Sequence, residues 1–337
     1  MGGLLSASRL HAGDLYYFLQ EIHVGGEGGW DYLTIDAPSR RLYVAHSTKV
    51  IVINIDKDEV VGQITGTLGV HGFAAASSLG RGFASDGRAN SVKVVDLGTL
   101  KTLTNVPTGE NPDAIIYESG RQQVYAFNGR GNSATVIDAA TSKVLATIAL
   151  PGKPEFAAAD PSVSRVYCNL EDQGLVAAID TTKHQVVATW PIAPGEEASG
   201  MAIDTVNKRL FIGCRNKIME MIDSQSGKVM ATAHITTGVD ANAFDPVTKL
   251  AFASCGDGTT TIAKEDGDKL EIAQSLTTRR GARTMALDPD SHKIYLATCD
   301  YESQDQQPEG QRARRPRMIP NTFKILVYGI AASKKSP

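Results

Sequence analysis

One short unit recurs seven times along the chain at a nearly constant interval, and this limits the fold more than any other feature. The unit starts near a glycine, runs through a small apolar strand and ends on Asp or a substitute. Its clearest copies are Asp31 to Asp36, Glu155 to Asp160, Ser199 to Asp204, Asp240 to Asp245 and Arg283 to Asp288. Weaker copies begin at His71 and Asp113, and the seven starts are separated by 40, 42, 42, 44, 41 and 43 residues. A fixed period of this size marks a chain built from one repeated supersecondary unit, each copy burying its apolar face against its neighbours.

Each unit is followed by a tight turn, as in Ala37 to Arg40 or Asp288 to Ser291, and then by a second strand. That strand carries an aromatic twelve residues after the unit begins, giving Tyr43, Phe83, Tyr125, Tyr167, Phe211, Phe252 and Tyr295. A third strand rich in β-branched residues follows, such as Val50 to Ile55 or Thr135 to Asp138, and a fourth such as Val60 to Ile64 or Val186 to Trp190. Four short strands in about forty residues make one blade of a propeller. The predicted fold is therefore all-β, a seven-bladed β-propeller with four antiparallel strands per blade. The seventh repeat reaches its third strand at Phe323 to Ile330, while Tyr16 to Val24 precedes the first repeat as an unmatched strand. That N-terminal strand is expected to close the last blade and so remove an exposed edge. The organisation is an N-terminal extension over 1–15, one propeller domain over 16–330 and a C-terminal tail over 331–337.

A chain of 337 residues has room for two domains, but its 32 glycines and 14 prolines are spread evenly with no linker between richer halves. With 42% apolar and 21% charged residues it can bury a large core. Thirty-four Lys and Arg against thirty-seven Asp and Glu give a net charge of -3, which offers no field to attract a phosphate backbone, and nucleic acid is not expected as a partner. No apolar stretch approaches the roughly 18 residues of a spanning helix, so no membrane insertion is expected. Met1 to Leu10 carries Arg9 late and lacks an apolar centre, which excludes a signal peptide in that segment. The Gly25 to Gly29 run is followed by no helix and matches neither dinucleotide nor P-loop spacing, so no nucleotide cofactor is expected. Cys168, Cys214, Cys255 and Cys299 form no Cys-x-x-Cys pair and follow apolar strand patterns, which predicts buried, reduced and unpaired thiols.

Several segments resemble the YVTN-repeat, or YncE-like, family of bacterial seven-bladed propellers. Arg41 to Ala45, Arg209 to Ile212 and Lys293 to Ala297 are similar to its second-strand motif, and Val136 to Asp138, Ala178 to Asp180 and Met221 to Asp223 to its third-strand ending. The resemblance covers Tyr16 to Ile330 and is specific for fold rather than function, because such propellers serve as binding modules, surface proteins and occasionally enzymes. It implies a periplasmic or extracellular setting, and it leaves room for a protein partner.

Chemistry is expected on the face where the first strands begin, around the central channel. The first residue of each unit gives a ring of Asp31, His71, Asp113, Glu155, Ser199, Asp240 and Arg283. Six of these seven are ionisable in a chain only 21% charged, a composition unsuited to a core. The second-to-third-strand loops add His46, Asp86, Arg88, Asn128, Arg130, Asn169, Glu171, Arg215, Asn216 and Asp257. Crowded carboxylates in a narrow funnel must raise their pKa values, find cations or bind a metal, with His71 expected to be neutral near pH 7.

Three readings follow from this ring. In the first, a divalent cation (Ca, Mg, Mn or Zn) is held by Asp31, Asp113, Glu155, Asn169 and Asp240, with an open position for water or substrate. His71, Glu155, Asp240 and Arg283 then supply catalytic groups for metal-assisted hydrolysis of a lactone or phosphoester-like substrate, and the arrangement resembles the axial metal site of propeller lactonases and phosphotriesterases. In the second, Trp30, His46, Arg88, Arg130, Ser199 and Arg215 help to bind a polar or anionic small molecule without chemistry. In the third, the charges solvate a wet channel. Nucleophilic catalysis by Ser199 with His71 is weaker, because the two belong to nonadjacent blades and no Gly-x-Ser-x-Gly elbow is present. Finally, the insertion from Cys299 to Asn321, with Arg312, Arg314, Arg315 and Arg317, is expected to lie over the ring face.

Overall fold

The computed structural model describes residues 15–302 and 317–330. Seven four-stranded antiparallel sheets are present, six of them formed by four strands consecutive in the chain. This is the propeller that the repeat predicts. The seventh sheet orders Tyr16–His23, Lys324–Ile330, Ile294–Thr298 and Met285–Leu287 from the outside inward. The N-terminal strand runs antiparallel to the last strand of the chain, from Tyr16 opposite Ile330 to His23 opposite Lys324. The ring is thus closed by pairing the two ends of the domain, which covers the outer edge of Lys324–Ile330. Residues 1–14 and 331–337 lie outside the described residues.

The seven aromatics at offset twelve are buried, each at 2% exposure or less, and they fill the spaces between adjacent sheets. Tyr43 of blade one stacks on Phe73 of blade two at 4.2 Å between centroids, and Phe211 of blade five on Phe244 of blade six at 4.6 Å. Burial of a ring of this size removes enough apolar area to contribute about 2 kcal/mol or more. The four cysteines also lie in these packed layers, buried and free of disulfide.

The Asp that ends a first strand has two roles. It accepts hydrogen bonds from the following turn, as Asp204 does from the backbone N–H groups of Val206 and Asn207. It also takes a basic side chain from the next blade. Lys208 reaches Asp160 at 2.7 Å, Lys249 reaches Asp204 at 3.0 Å, His292 reaches Asp245 at 2.7 Å and Arg40 reaches Asp288 at 2.8 Å. One residue type thus shapes the turn and latches neighbouring blades on the face opposite the ring.

In six blades the first strand is bulged at the same place. Trp30 pairs with His46 and Leu33 with Val44, so Asp31 and Tyr32 stand against a single residue. Equivalent register shifts follow Val70, Pro112, Pro154, Ala198 and Val239. The residue after each of these is a ring residue. A bulge leaves its extra residue out of the ladder and re-aims the side chain, and here it turns the ring residues toward the axis. The freed backbone groups find other partners. Ser85 Oγ accepts from the Gly72 N–H at 2.8 Å and donates to the Asp113 carbonyl at 2.6 Å, tying one blade's bulge to the next.

Candidate functional site

Six ring residues, Asp31, His71, Asp113, Glu155, Asp240 and Arg283, come together with Arg215 and Tyr32 around a cavity of about 510 Å³. It opens on the face where the first strands begin. Blade seven departs from the pattern: its first strand starts only at Met285, so Arg283 approaches from the connecting segment after Gly281.

The ring is an ion-pair network. His71 Nδ1 lies 2.7 Å from Asp31 Oδ2 and 3.7 Å from Asp113 Oδ1. Burial alone would lower the imidazolium's pKa, but the Asp31 hydrogen bond and the Asp113 and Glu155 charges outweigh it and carry His71 up to about 8. This corrects the expectation of a neutral imidazole near pH 7. Asp113 is pushed up to about 7 by burial, with Asp31 and Glu155 adding to the rise and His71 opposing it. Glu155 receives Lys153 at 3.0 Å, and Lys153 also holds Glu171. Arg215 completes this chain by reaching Glu171 at 2.8 Å. Asp240 accepts from Arg283 Nε at 2.7 Å and from Ser199 Oγ at 3.3 Å. Glu155 and Asp240 are both raised, first by burial and then by nearby carboxylates, with Lys153 and Arg283 opposing.

Lys153 escapes a reading of the repeat because it sits in the crossover before the strand, where no fixed residue recurs. Tyr32 escapes it for another reason: the bulge turns a second residue inward. Its hydroxyl donates to the Glu155 carbonyl at 3.1 Å, and its ring packs on Phe156 of blade four at 5.0 Å between centroids. Tyr32 thus crosses the channel from blade one to blade four. Beyond it lies a second cavity of about 450 Å³, lined mainly by apolar residues including Leu33, Ile35, Ile116, Phe156 and Leu287. The Tyr32 hydroxyl is held well above its ordinary pKa by burial and by Asp113, Glu155, Asp31 and Asp240, so it stays a neutral donor.

The remaining sequence candidates lie outside the cavity lining. Asn169 is buried and its amide donates to the Ser199 and Gly200 carbonyls at 3.1 Å each, serving the bulge of the next blade. Ser199 is buried behind Asp240. Trp30 and His46 both pack on Phe323, with His46 stacked at 4.2 Å and 5°. Burial, reinforced by Lys49, pushes the His46 pKa down to about 4. Arg88 and Arg130 are exposed and do not line the cavity. Among the described residues, Asp31, His71 and Asp113 form a group that could hold a metal ion, with one candidate ligand atom from each lying within 4.8 Å of the others.

The insertion leaves blade seven on the ring face. Its base is a two-stranded stem, with Tyr301 bridged to Met318 and Glu302 N–H donating to the Arg317 carbonyl at 2.9 Å. Tyr301 lies against Gly281, two residues from Arg283. Arg312, Arg314 and Arg315 lie outside the described residues.

No family model matches the chain, and no curated protein matches it. Solved structures do. Hydrazine synthase of Kuenenia stuttgartiensis superposes with a TM-score of 0.70 at 15% identity, covering 88% of this chain and 96% of that one. U3-55K gives 0.73 at 10% identity, covering 93% and 98%. The WD40 repeats of RRP9 give 0.75 at 10% identity, covering 93% and 97%. At these identities the likeness is one of fold. The chain shares the seven-bladed propeller architecture.

Proposed function

We propose that this protein is a binding propeller whose charged axial funnel takes a small polar molecule. The observation that carries this reading is the convergence on one cavity. Bulges at one register position bring Asp31, His71, Asp113, Glu155 and Asp240 to a concave space of about 510 Å³, a size suited to a small ligand. A scaffold would need no such repetition on the axis, though the outer faces of the blades stay free for a protein partner. The repeat motifs support a YVTN-type, YncE-like propeller, and that likeness supports a periplasmic or extracellular setting. Thermal denaturation of the full chain against a panel of charged and neutral small metabolites tests the reading. Concentration-dependent stabilisation by charged compounds is expected, and it should weaken in Asp113→Asn. A flat response across the panel would contradict it.

A second reading rests on the three ligand atoms within 4.8 Å at Asp31, His71 and Asp113. A divalent ion there would use two carboxylates and an imidazole, leaving positions for water and substrate, as metal-assisted hydrolysis of a lactone or phosphoester requires. Such an ion would replace the His71 to Asp31 hydrogen bond. Glu155 and Asp240, engaged by Lys153 and Arg283, would then act on substrate or water rather than as ligands. Elemental analysis of untreated protein, followed by melting with chelator and with Ca²⁺, Mg²⁺, Mn²⁺ or Zn²⁺, decides it. Indifference to every ion would leave the funnel as a metal-free site.

A further inference from the structure

The charges of the funnel are graded by depth. The carboxylates sit inward, with Glu155 and Asp113 side chains 15% and 17% exposed, while Arg283 and Arg215 stand outward at 44% and 49%. The floor is the ring of Tyr32, on which four carboxylates act at once. The inner end of the cavity is therefore negative and closed by the Tyr32 side chain, and its rim is positive.

Most of these groups are already paired, and two are left over. The Asp113 carboxylate makes no hydrogen bond among the described residues, its nearest cation being His71 Nδ1 at 3.7 Å, which is bonded to Asp31 instead. Arg283 is anchored through Nε on Asp240, and its two terminal nitrogens have no hydrogen-bond partner among the described residues. A guanidinium held by Nε presents the rest of its fork outward, in the geometry that grips a carboxylate with two parallel hydrogen bonds. A deep carboxylate beside an aromatic ring is suited to an ammonium, which gains from both the charge and the ring face. An acceptor is thus free at the inner end and a donor fork at the outer end of the same cavity.

Resting on the small-molecule reading above, we propose that the ligand is a small zwitterion, its ammonium seated at Asp113 over Tyr32 and its carboxylate on Arg283. Each end meets polar atoms that make no hydrogen bond among the described residues, the Asp113 carboxylate and the Arg283 terminal nitrogens, and the pair together keeps the funnel's charge balanced. A purely anionic ligand would face the inner carboxylates, and a purely cationic one would leave Arg283 unused. The ion pairs already present are not disturbed.

The test is calorimetric titration of the full chain with ω-amino acids of increasing length, from glycine to 6-aminohexanoate, beside butylamine, butyrate and butyramide. One chain length should bind best and exceed both singly charged controls by roughly tenfold or more, as expected for a charge-assisted bond at each end. Arg283→Gln, at a side chain 44% exposed, should reduce that zwitterion to the level of butylamine, with the melting temperature of the variant checked alongside. Asp113→Asn should reduce it to the level of butyrate. Butylamine or butyrate binding as tightly as the best zwitterion would overturn the inference while leaving the funnel a binding site. Silence from every probe, butyramide and the singly charged controls included, would overturn the inference and count against small-molecule binding itself.

Discussion

Arg40 clasps Asp288 with both arms of its guanidinium, NH1 to Oδ1 at 2.9 Å and NH2 to Oδ2 at 2.8 Å, and so latches blade one to blade seven across the closure of the ring. The Asp288 side chain is fully buried. Its carboxyl is held below the usual range: burial raises it, but hydrogen bonds from Arg40, Ser291 and the turn outweigh that. Removal of one partner strands a buried carboxylate, a change that costs about 3–5 kcal/mol for a fully buried pair and less here because Arg40 is partly solvated. Arg40→Ala is therefore expected to lose about 2 kcal/mol by urea denaturation, with Arg40→Lys recovering part of it. Stability unchanged in Arg40→Ala would mean that strand pairing alone closes the ring.

Gly281 carries the chain toward Arg283 at a φ of +82°, and a Cβ there would run into the Tyr301 hydroxyl. A residue with a side chain at this φ costs about 1–2 kcal/mol before any clash. Gly281→Ala should lower the melting temperature and loosen the stem of the insertion, which hydrogen exchange at Glu302 and Ile319 would report. Exchange equal to wild type would show that the stem does not depend on this approach.

Glu220 is a buried carboxyl in blade five. It accepts the Gly195 N–H at 2.8 Å through one oxygen, and its other oxygen has no hydrogen-bond partner among the described residues. Burial raises its pKa from 4.5 to about 7, the Gly195 hydrogen bond opposing only in part. The folded protein therefore keeps a proton that the unfolded chain has released, and this group costs stability as pH rises from about 4.5 to 7. Glu220→Gln should stay close to wild type at pH 4 and exceed it at pH 8 by on the order of 2–3 kcal/mol. Curves that run parallel from pH 4 to 8 would show that Glu220 does not hold its proton.

The fold was legible because a propeller repeats its physics. Every blade carries an aromatic between sheets, Tyr43 through Tyr295, and five of the seven carry an Asp at the end of the first strand, with Ala76 and Glu118 in the other two, so both recur at a fixed offset. The ring was legible for a related reason, since the bulge recurs at one register position in six blades and brings the same residue to the cavity in five of them. The surroundings were harder to place. Both Asn169 and Arg215 were expected in the loops after their second strands, yet Asn169 lies inside Arg165–Leu170 and turns between blades to serve a bulge, while Arg215 follows Arg209–Cys214 and reaches the cavity. Periodicity says when a side chain leaves a strand, but not which neighbour captures it. Tyr32 and Lys153 were hidden because a bulge exposes two residues where alternation expects one, and because crossover residues follow no repeat.

The protonation of His71 gives a pH signature. Its raised pKa of about 8 reflects Asp31 and Asp113, so its pairing contributes stability fully below the ordinary 6.5 and loses it as pH passes 8. His71→Gln should flatten the fall in melting temperature between pH 7 and 9. A wild-type imidazole titrating near 6.5 by NMR would contradict that arrangement.

The central claim is that ligand recognition belongs to the polar funnel and not to the apolar chamber beyond Tyr32. The most direct measurement is calorimetric titration of the best-stabilising small molecule into wild type, Arg283→Gln and Ala286→Val, the last narrowing only the apolar chamber. The account predicts that Arg283→Gln weakens binding roughly tenfold or more while Ala286→Val matches wild type. Binding that survives Arg283→Gln and is lost in Ala286→Val would place the ligand on the other side of Tyr32 and contradict the account.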